Sequence, residues 1–289
     1  MKILITGANG MLAKAVKKRF ENEELILTDV AELDITKLEA VKEFVEESKP
    51  DVIINCAAYT AVDKAEEDLD LARKINADGP KNLAIAARNN NCILVHISTD
   101  YVFSGNLPLD KAYKEDDSKA PETVYGVTKL EGEEYIKENV EKYYIFRTAW
   151  LYGDGNNFVR TMTKVALGKK DLPEEEKFVT VVADQHGSPT YAVDLAQYIY
   201  ETLEKKIPYG IYHATNEGDT TWYEFTKEIY KILGIECEVR PVTTEEFPRP
   251  AKRPMNSKLS KEKLKKAGIN IPKWQEALKR YLESDIFRI

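Results

Sequence analysis

A doubly wound α/β sheet of parallel strands, Rossmann-type, is the architecture this sequence predicts, and three observations carry that prediction. Lys2 to Thr6 is a short apolar run that ends at Gly7, and helical spacing begins near Gly10, with Leu12, Val16 and Phe20 on one side. A second short run, Leu25 to Thr28, ends on Asp29, nineteen residues after Gly10. Helical and extended stretches then alternate: a helix from Leu38 to Glu47, a strand Val52-Ile53-Ile54-Asn55, a helix from about Leu69 to Asn89 and a strand from Ile93 to Ser98.

Each element has a chemical reading. A glycine turn between strand and helix lets backbone N–H groups meet a pyrophosphate at the helix N-terminus. The spacing is Gly7-x-x-Gly10-x-x-Ala13, looser than G-x-G-x-x-G, with Ala13 in the third glycine's place. A carboxylate at the tip of the second strand accepts both adenosine ribose hydroxyls, and Asp29 stands at that distance. An acid there repels a 2′-phosphate, and Val30 and Ala31 supply no cation to bind one. NADH is therefore favoured over NADPH. The small residues of Cys56-Ala57-Ala58-Tyr59-Thr60, after the third strand, permit close approach of a flat ligand.

The 289 residues suffice for one large α/β domain with a smaller lobe, and the net charge of −7 argues against nucleic acid as a generic partner. Cys56, Cys92 and Cys237 are far apart and read as buried thiols in a reducing cytosol. No stretch approaches the ~18 apolar residues of a membrane span, and the start lacks the features of a signal peptide, so a cytoplasmic protein is expected. His96 alternates with core residues in a strand, and His186 and His213 have no companions at ligand spacing. All three read as structural, and no metal site is expected.

The chemistry of the chain centres on Tyr125-Gly126-Val127-Thr128-Lys129. A phenol and an ammonium at i and i+4 share a helical face. At ~4 Å and an effective dielectric of ~20, the cation favours the phenolate by ~4 kcal/mol, which tunes the phenol towards neutrality as a general acid or base. The spacing alone is cheap, since Tyr223 and Lys227 share it. Context selects the first pair. It follows the strand end Ser98-Thr99-Asp100-Tyr101-Val102-Phe103, whose hydroxyls belong to the same sheet edge as the Gly7 turn.

At this point the sequence resembles the extended short-chain dehydrogenase/reductases and, within them, the dTDP-4-dehydrorhamnose reductase family. The resemblance covers nearly the whole chain. It rests on Gly7-x-x-Gly10, Asn55 to Glu66, Ser98 to Phe103, Tyr125-x-x-x-Lys129 and Arg147-Thr148-Ala149-Trp150-Leu151-Tyr152-Gly153. It continues through Asn156-Asn157-Phe158, Asp184-Gln185-x-Gly187-x-Pro189-Thr190, Thr221-Trp222-Tyr223 and Arg249-Pro250-Ala251-x-Arg253-Pro254. It implies reduction of a 4-keto dTDP-sugar by hydride from NAD(P)H. Tyr125 would protonate the ketone oxygen, Lys129 would lower its pKa and hold the nicotinamide ribose, and Thr99 would orient the same oxygen. Gly10, Met11 and Leu12 would contact the pyrophosphate, Asp29 the ribose, Asp34 and Ile35 the adenine region, and Ala58, Tyr59 and Thr60 the nicotinamide side. Thr99, Asp100 and Trp150 would touch the sugar. The related dehydratases carry a glutamate after Thr-Asp; Tyr101 stands there and favours simple reduction. Some family members are dimers with magnesium at the interface, which leaves a homodimer open and assigns no ligands in this chain. Two rivals are a different nucleotide-sugar reductase or epimerase, and a non-catalytic relative resembling the regulatory subunit of methionine adenosyltransferase. Intact Thr99, Tyr125 and Lys129 argue against the second.

The domain division expected is residues 1–150 plus about 178–215 for the cofactor, and about 151–177 plus 216–289 for the sugar nucleotide. The charged stretch Gly168 to Lys177 reads as a solvated loop. Three cations in Arg249-Pro250-Ala251-Lys252-Arg253 can grip a diphosphate, with Arg253 preferred as the ligand given the resemblance. Trp222 reads either as a cover for thymine or as a packing residue. The last helix, from Pro272 to Ser284, turns Trp274, Leu278 and Tyr281 to the core.

Overall fold

The computed structural model describes residues 1–287. Its first part runs β1 (Lys2–Thr6), α1 (Met11–Arg19), β2 (Glu24–Thr28), α2 (Leu38–Ser48), β3 (Val52–Asn55), α3 (Val62–Ala65), α4 (Leu69–Arg73), α5 (Gly79–Asn89), β4 (Ile93–Thr99), α6 (Val124–Asn139) and β5 (Tyr143–Thr148). The second part runs β6 (Leu151–Tyr152), α7 (Phe158–Leu167), β7 (Phe178–Val182), β8 (His186–Gly187), β9 (Thr190–Tyr191), α8 (Ala192–Lys205), β10 (Gly210–His213), β11 (Thr220–Thr221), α9 (Trp222–Leu233), β12 (Glu238–Val242), α10 (Glu262–Lys266) and α11 (Trp274–Leu282).

Six strands form one parallel sheet in the order β2-β1-β3-β4-β5-β10. Alternate residues of a strand face opposite sides, and here both sides are covered. Ile3 and Ile5 pack with Leu12 and Val16 of α1 and Leu195 and Ile199 of α8. Leu4 packs the other way, with Val41 of α2, Leu83 of α5 and Ile136 of α6. This is why the strands read as unbroken apolar runs. Because β2 and β3 lie on opposite sides of β1, the crossovers diverge there and open a crevice at the strands' carboxyl ends.

The helix expected over residues 69–89 is interrupted by a π-helical turn, Lys74–Asp78. There Asn76 exchanges two hydrogen bonds with the Tyr59 backbone, through Oδ1 at 2.8 Å and Nδ2 at 3.0 Å. The expected division into domains needs two changes. Residues of β7 were allotted to the cofactor domain, yet β7 pairs with β12, and Val179 and Val181 join Phe225, Ile229, Trp274, Leu278 and Tyr281 in a separate core. Conversely, Leu264 of α10 packs into the core of the main sheet. The lobe's strand partner comes from a distant stretch, so strand count along the chain did not reveal it. The stretch 168–177 is largely exposed. Of the cysteines only Cys92 is buried; Cys56 and Cys237 are half-buried. Among the described residues no helix is long and apolar enough to cross a membrane, and no cluster of side chains could hold a metal ion.

Candidate active site

The turn after β1 is held against the end of β3. Gly7 has φ +63°, and a Cβ there would stand 2.7 Å from the Ala57 Cα and N, so only glycine fits. Gly10 N–H donates to the Gly7 carbonyl at 2.9 Å, and Gly10 begins α1 without a side-chain cap, leaving the first N–H groups of the helix unclaimed by any side chain. Gly7, Gly10, Asp29, Leu33, Asp34 and Ile35 line one cavity beside Ala57 and Ala58. Asp29 accepts from Asn9 N–H at 3.1 Å and from Val30 N–H at 2.9 Å. The Asp34 carboxylate is already taken by the N–H and hydroxyl of Thr36, and the hydroxyl in particular holds its carboxyl below the usual range.

A larger cleft of 430 Å³ continues from Gly10, Met11 and Leu12 past Ala58 and Thr60 to Thr99, Asp100, Tyr125, Lys129 and Trp150. Tyr59 differs from expectation: it is absent from this wall, and its hydroxyl donates outward to Asp68 at 2.9 Å. Thr99 ends β4. Tyr125 is brought to it by the start of α6, which Thr123 caps by accepting from Gly126 N–H at 3.0 Å. A Cβ on Gly126 would collide with the Tyr101 carbonyl oxygen, so this glycine sets how closely α6 approaches the turn after β4. The rings of Tyr101 and Tyr125 meet edge to face, 5.5 Å apart.

The electrostatics correct one expectation. Burial pushes the Tyr125 phenol up to about 12, with the Thr99 hydroxyl pulling the other way and the Asp100 carboxylate adding to the rise. Lys129 does not act on it as a neighbouring cation. Its Nζ is turned to β4, donating to the Ile97 carbonyl at 2.6 Å and lying 3.2 Å from His96 Nε2. Burial lowers this lysine to about 8. The Asp100 carboxyl is pushed up to about 6 by burial. Its Oδ1 accepts from Thr99 at 2.8 Å, while the Ser257 hydroxyl faces it without completing a hydrogen bond of normal geometry. Four residues beyond Lys129, Glu133 forms a fully buried bidentate pair with Arg147 of β5, at 2.6 and 2.9 Å, and also accepts from Ser98.

A second cavity of 350 Å³ adjoins the cleft, sharing Tyr101 and Trp150 as wall. Phe158, Met162, Gln185, Trp222, Phe247, Arg249, Arg253 and Ser257 are among its other lining residues. Trp150, held at φ +49°, stacks on Trp222 at 3.7 Å and 15°. Trp222 thus does pack, but against a residue of the site. Arg253 is not a free diphosphate ligand here: it donates to Asp63 at 2.7 Å and to the Ala251 carbonyl at 3.0 Å, tying the lobe to the segment after β3. Arg249 stands 4.8 Å over the Phe247 ring.

Sequence reasoning missed His96 and Asn55. The two are paired in register on neighbouring strands, Asn55 at the end of β3 and His96 in the middle of β4, and bonded at 3.0 Å, and His96 reaches Lys129. The signal was a polar residue ending the otherwise apolar, fully buried β3 and a histidine among the apolar residues of β4. Arg249, Gln185 and Ser257 were quoted or passed over without a separate role, because only the folded lobe brings them to one wall.

A glycine turn at the switch point of a parallel sheet, an acid ending β2, and a Thr–Tyr–Lys group on the adjoining strand and helix define a nicotinamide-dependent short-chain dehydrogenase/reductase. The family model described as "RmlD substrate binding domain" matches residues 1–286. A dTDP-4-dehydrorhamnose reductase of Streptomyces griseus is 42% identical over 285 residues, covering 95% of this chain and 91% of that protein. A crystal structure of a dTDP-4-dehydrorhamnose reductase from Clostridium acetobutylicum superposes with a TM-score of 0.93 at 50% identity, covering 98% of this chain and 99% of that one. Another, from Bacillus anthracis in complex with NADP, gives 0.90 at 42% identity, covering 98% and 99%. This chain belongs to the dTDP-4-dehydrorhamnose reductase family.

Proposed function

We propose that this chain reduces the 4-keto group of dTDP-4-dehydro-L-rhamnose to dTDP-L-rhamnose, with Tyr125 as the general acid. The observation that carries the reading is the shared wall: the cleft containing Thr99, Tyr125 and Lys129 opens beside a cavity built from stacked indoles and arginines. The residues fit a dinucleotide. Gly7 lets the turn close against Ala57 beside the cavity, and the uncapped start of α1 suits a pyrophosphate. When bound, the nicotinamide supplies a hydride. Tyr125, kept fully protonated by burial, gives its proton to the ketone oxygen. Thr99, whose oxygen accepts from Tyr101 N–H at 3.3 Å, fixes the direction of that transfer. Lys129 holds the nicotinamide ribose, and Trp150, Trp222 and Arg249 receive the nucleotide end of the sugar. The protein acts in the cytoplasm.

NADH is the preferred donor in this reading. Asp29 N–H donates to Glu32 at 2.8 Å, which sets a second carboxylate beside the first at the ribose edge, and two acids repel a 2′-phosphate. Consumption of NADH dependent on enzymatically generated dTDP-4-dehydro-L-rhamnose is the test of the reaction; no consumption by folded, NADH-binding protein would sink it. Asp29→Ala should raise the NADPH-to-NADH ratio of kcat/KM about tenfold, roughly 1.4 kcal/mol. An unchanged ratio would remove Asp29 from the ribose site.

A further inference from the structure

The hydrogen bonds around Lys129 have a fixed direction. The Ala57 backbone N–H is an unambiguous donor, and it meets Asn55 Oδ1 at 3.1 Å; the Thr6 hydroxyl donates to the same oxygen at 2.7 Å. The Asn55 amide is therefore turned with its NH2 towards His96 Nδ1, 3.0 Å away. Nδ1 must then be the bare, accepting nitrogen. The ring is buried and held far below the usual imidazole range by that burial, with Lys129 adding to the effect, so it is neutral and carries its one hydrogen on Nε2. That N–H points at Lys129 Nζ, 3.2 Å away.

An ammonium has no lone pair to receive it. A neutral amine does, and it keeps a hydrogen for the Ile97 carbonyl at 2.6 Å. Every alternative with a charged lysine opposes two donors somewhere. Moving the ring hydrogen to Nδ1 opposes it to the Asn55 NH2, and turning the amide over opposes that NH2 to Ala57 N–H. Only the neutral amine satisfies every group.

We propose that Asn55 and His96 form a one-way hydrogen-bond chain that accepts Lys129 on β4 only as a neutral amine in the unliganded protein, so that it gives up its proton more readily than an ordinary lysine. His96 is thus a positioning residue acting through Lys129. The amine takes up a proton on its lone pair only by leaving His96, since the pair cannot be shared. Charging of Lys129 is therefore coupled to its move from the strand into the cleft. This coupling rests on the cofactor reading above; the chain itself does not.

The groups facing Lys129 agree with this balance. Glu133 on its own helix favours the ammonium, but that carboxylate is already matched by Arg147 from β5. Asp100 and Tyr101 approach Tyr125 from the turn after β4, and Asn76 and Thr128, bonded to each other at 3.3 Å on the π-turn side, carry no charge. Burial remains the dominant influence and lowers the lysine to about 8.

The test reads the ring and the amine directly by NMR. Long-range 1H–15N spectra of the unliganded protein at pH 9, with only three histidines and His96 assigned by its loss in His96→Gln, should show the Nε2–H form. The Lys129 side-chain signals, assigned through Lys129→Met, should titrate near 8 rather than near 10.5. Asn55→Asp turns the donor into an acceptor, so His96 should switch to Nδ1–H and Lys129 should stay charged at least one pH unit higher. An Nδ1–H ring in the wild type, or a Lys129 still charged a full unit above 8, overturns the proposal. The wild-type tautomer decides even where Asn55→Asp does not fold. Adding NADH at pH 9 should draw up to about one proton from a weakly buffered indicator solution. NADH binding without proton uptake, with the tautomer as expected, would reject the coupling and leave the chain standing; no NADH binding at all would reject the cofactor reading instead.

Discussion

Tyr125 and Lys129 share their spacing with Tyr223 and Lys227, and the two pairs have opposite fates. At the second pair the helix surface is open: Lys227 sits 4.9 Å over the Tyr223 ring and bonds Glu224 at 3.2 Å, and that bond raises its pKa. At the first pair Lys129 is buried, turned away from its tyrosine to a backbone carbonyl and an imidazole, and lowered. One pair is an ordinary solvated helix contact. The other is a phenol that holds its proton and an amine that gives up its own more readily. A spacing of four residues puts two side chains on one face; what the opposite wall offers decides their chemistry.

The contrast can be broken most severely at the phenols. Tyr125→Phe should lower kcat by about 10²–10⁴, with NADH affinity nearly unchanged, whereas Tyr223→Phe should leave turnover within about twofold in the same assay. Survival of more than about a tenth of the activity in Tyr125→Phe would transfer the acid role elsewhere. Next come the lysines. Lys129 loses its proton at about 8 when folded and at 10.5 ordinarily, so across that window the unfolded chain binds more protons and stability rises with pH. Lys129→Met should abolish a rise of roughly 3 kcal/mol, read by urea unfolding through the same window. For Lys227 the sign reverses. Its raised value contributes stability below the ordinary pKa that is lost as pH climbs past it. Lys227→Met should leave the rise due to Lys129 in place.

Smaller in energy is Gly126→Ala. The new methyl meets the Tyr101 carbonyl, and the backbone shift should cost roughly 1–3 kcal/mol and move Tyr125 off Thr99. Its loss of kcat should exceed any change in NADH affinity. Smallest is Glu224→Ala at the open pair, expected within about 0.5 kcal/mol by thermal unfolding, since both partners are about half exposed.

The cofactor half of the site was legible because its parts are local. Gly7, Gly10 and Asp29 lie within one strand–helix–strand unit, and a turn and a strand tip have readable signatures. The pair Tyr125–Lys129 was legible as a pair, but not the direction of Lys129, which depends on Asn55 and His96 from two other strands. The pairing of Arg253 was not legible for the same reason: its partner Asp63 lies 190 residues away in the chain. The strand β7 was assigned to the wrong unit because only pairing with β12 reveals where it belongs. Local backbone chemistry writes itself into short motifs; the protonation and pairing of a buried side chain are set by whatever the fold brings across from it.

The stacked indoles of Trp150 and Trp222 give the junction of the two cavities an optical signature. Two of the chain's three tryptophans lie in contact, nearly parallel, so their excited states are shared, while Trp274 is enclosed in the lobe core. Circular dichroism in the indole bands should carry a coupled doublet from that stack. An occupant that slides between the rings, or parts them, would erase it, so the protein carries its own reporter of whether the two cavities are joined or divided.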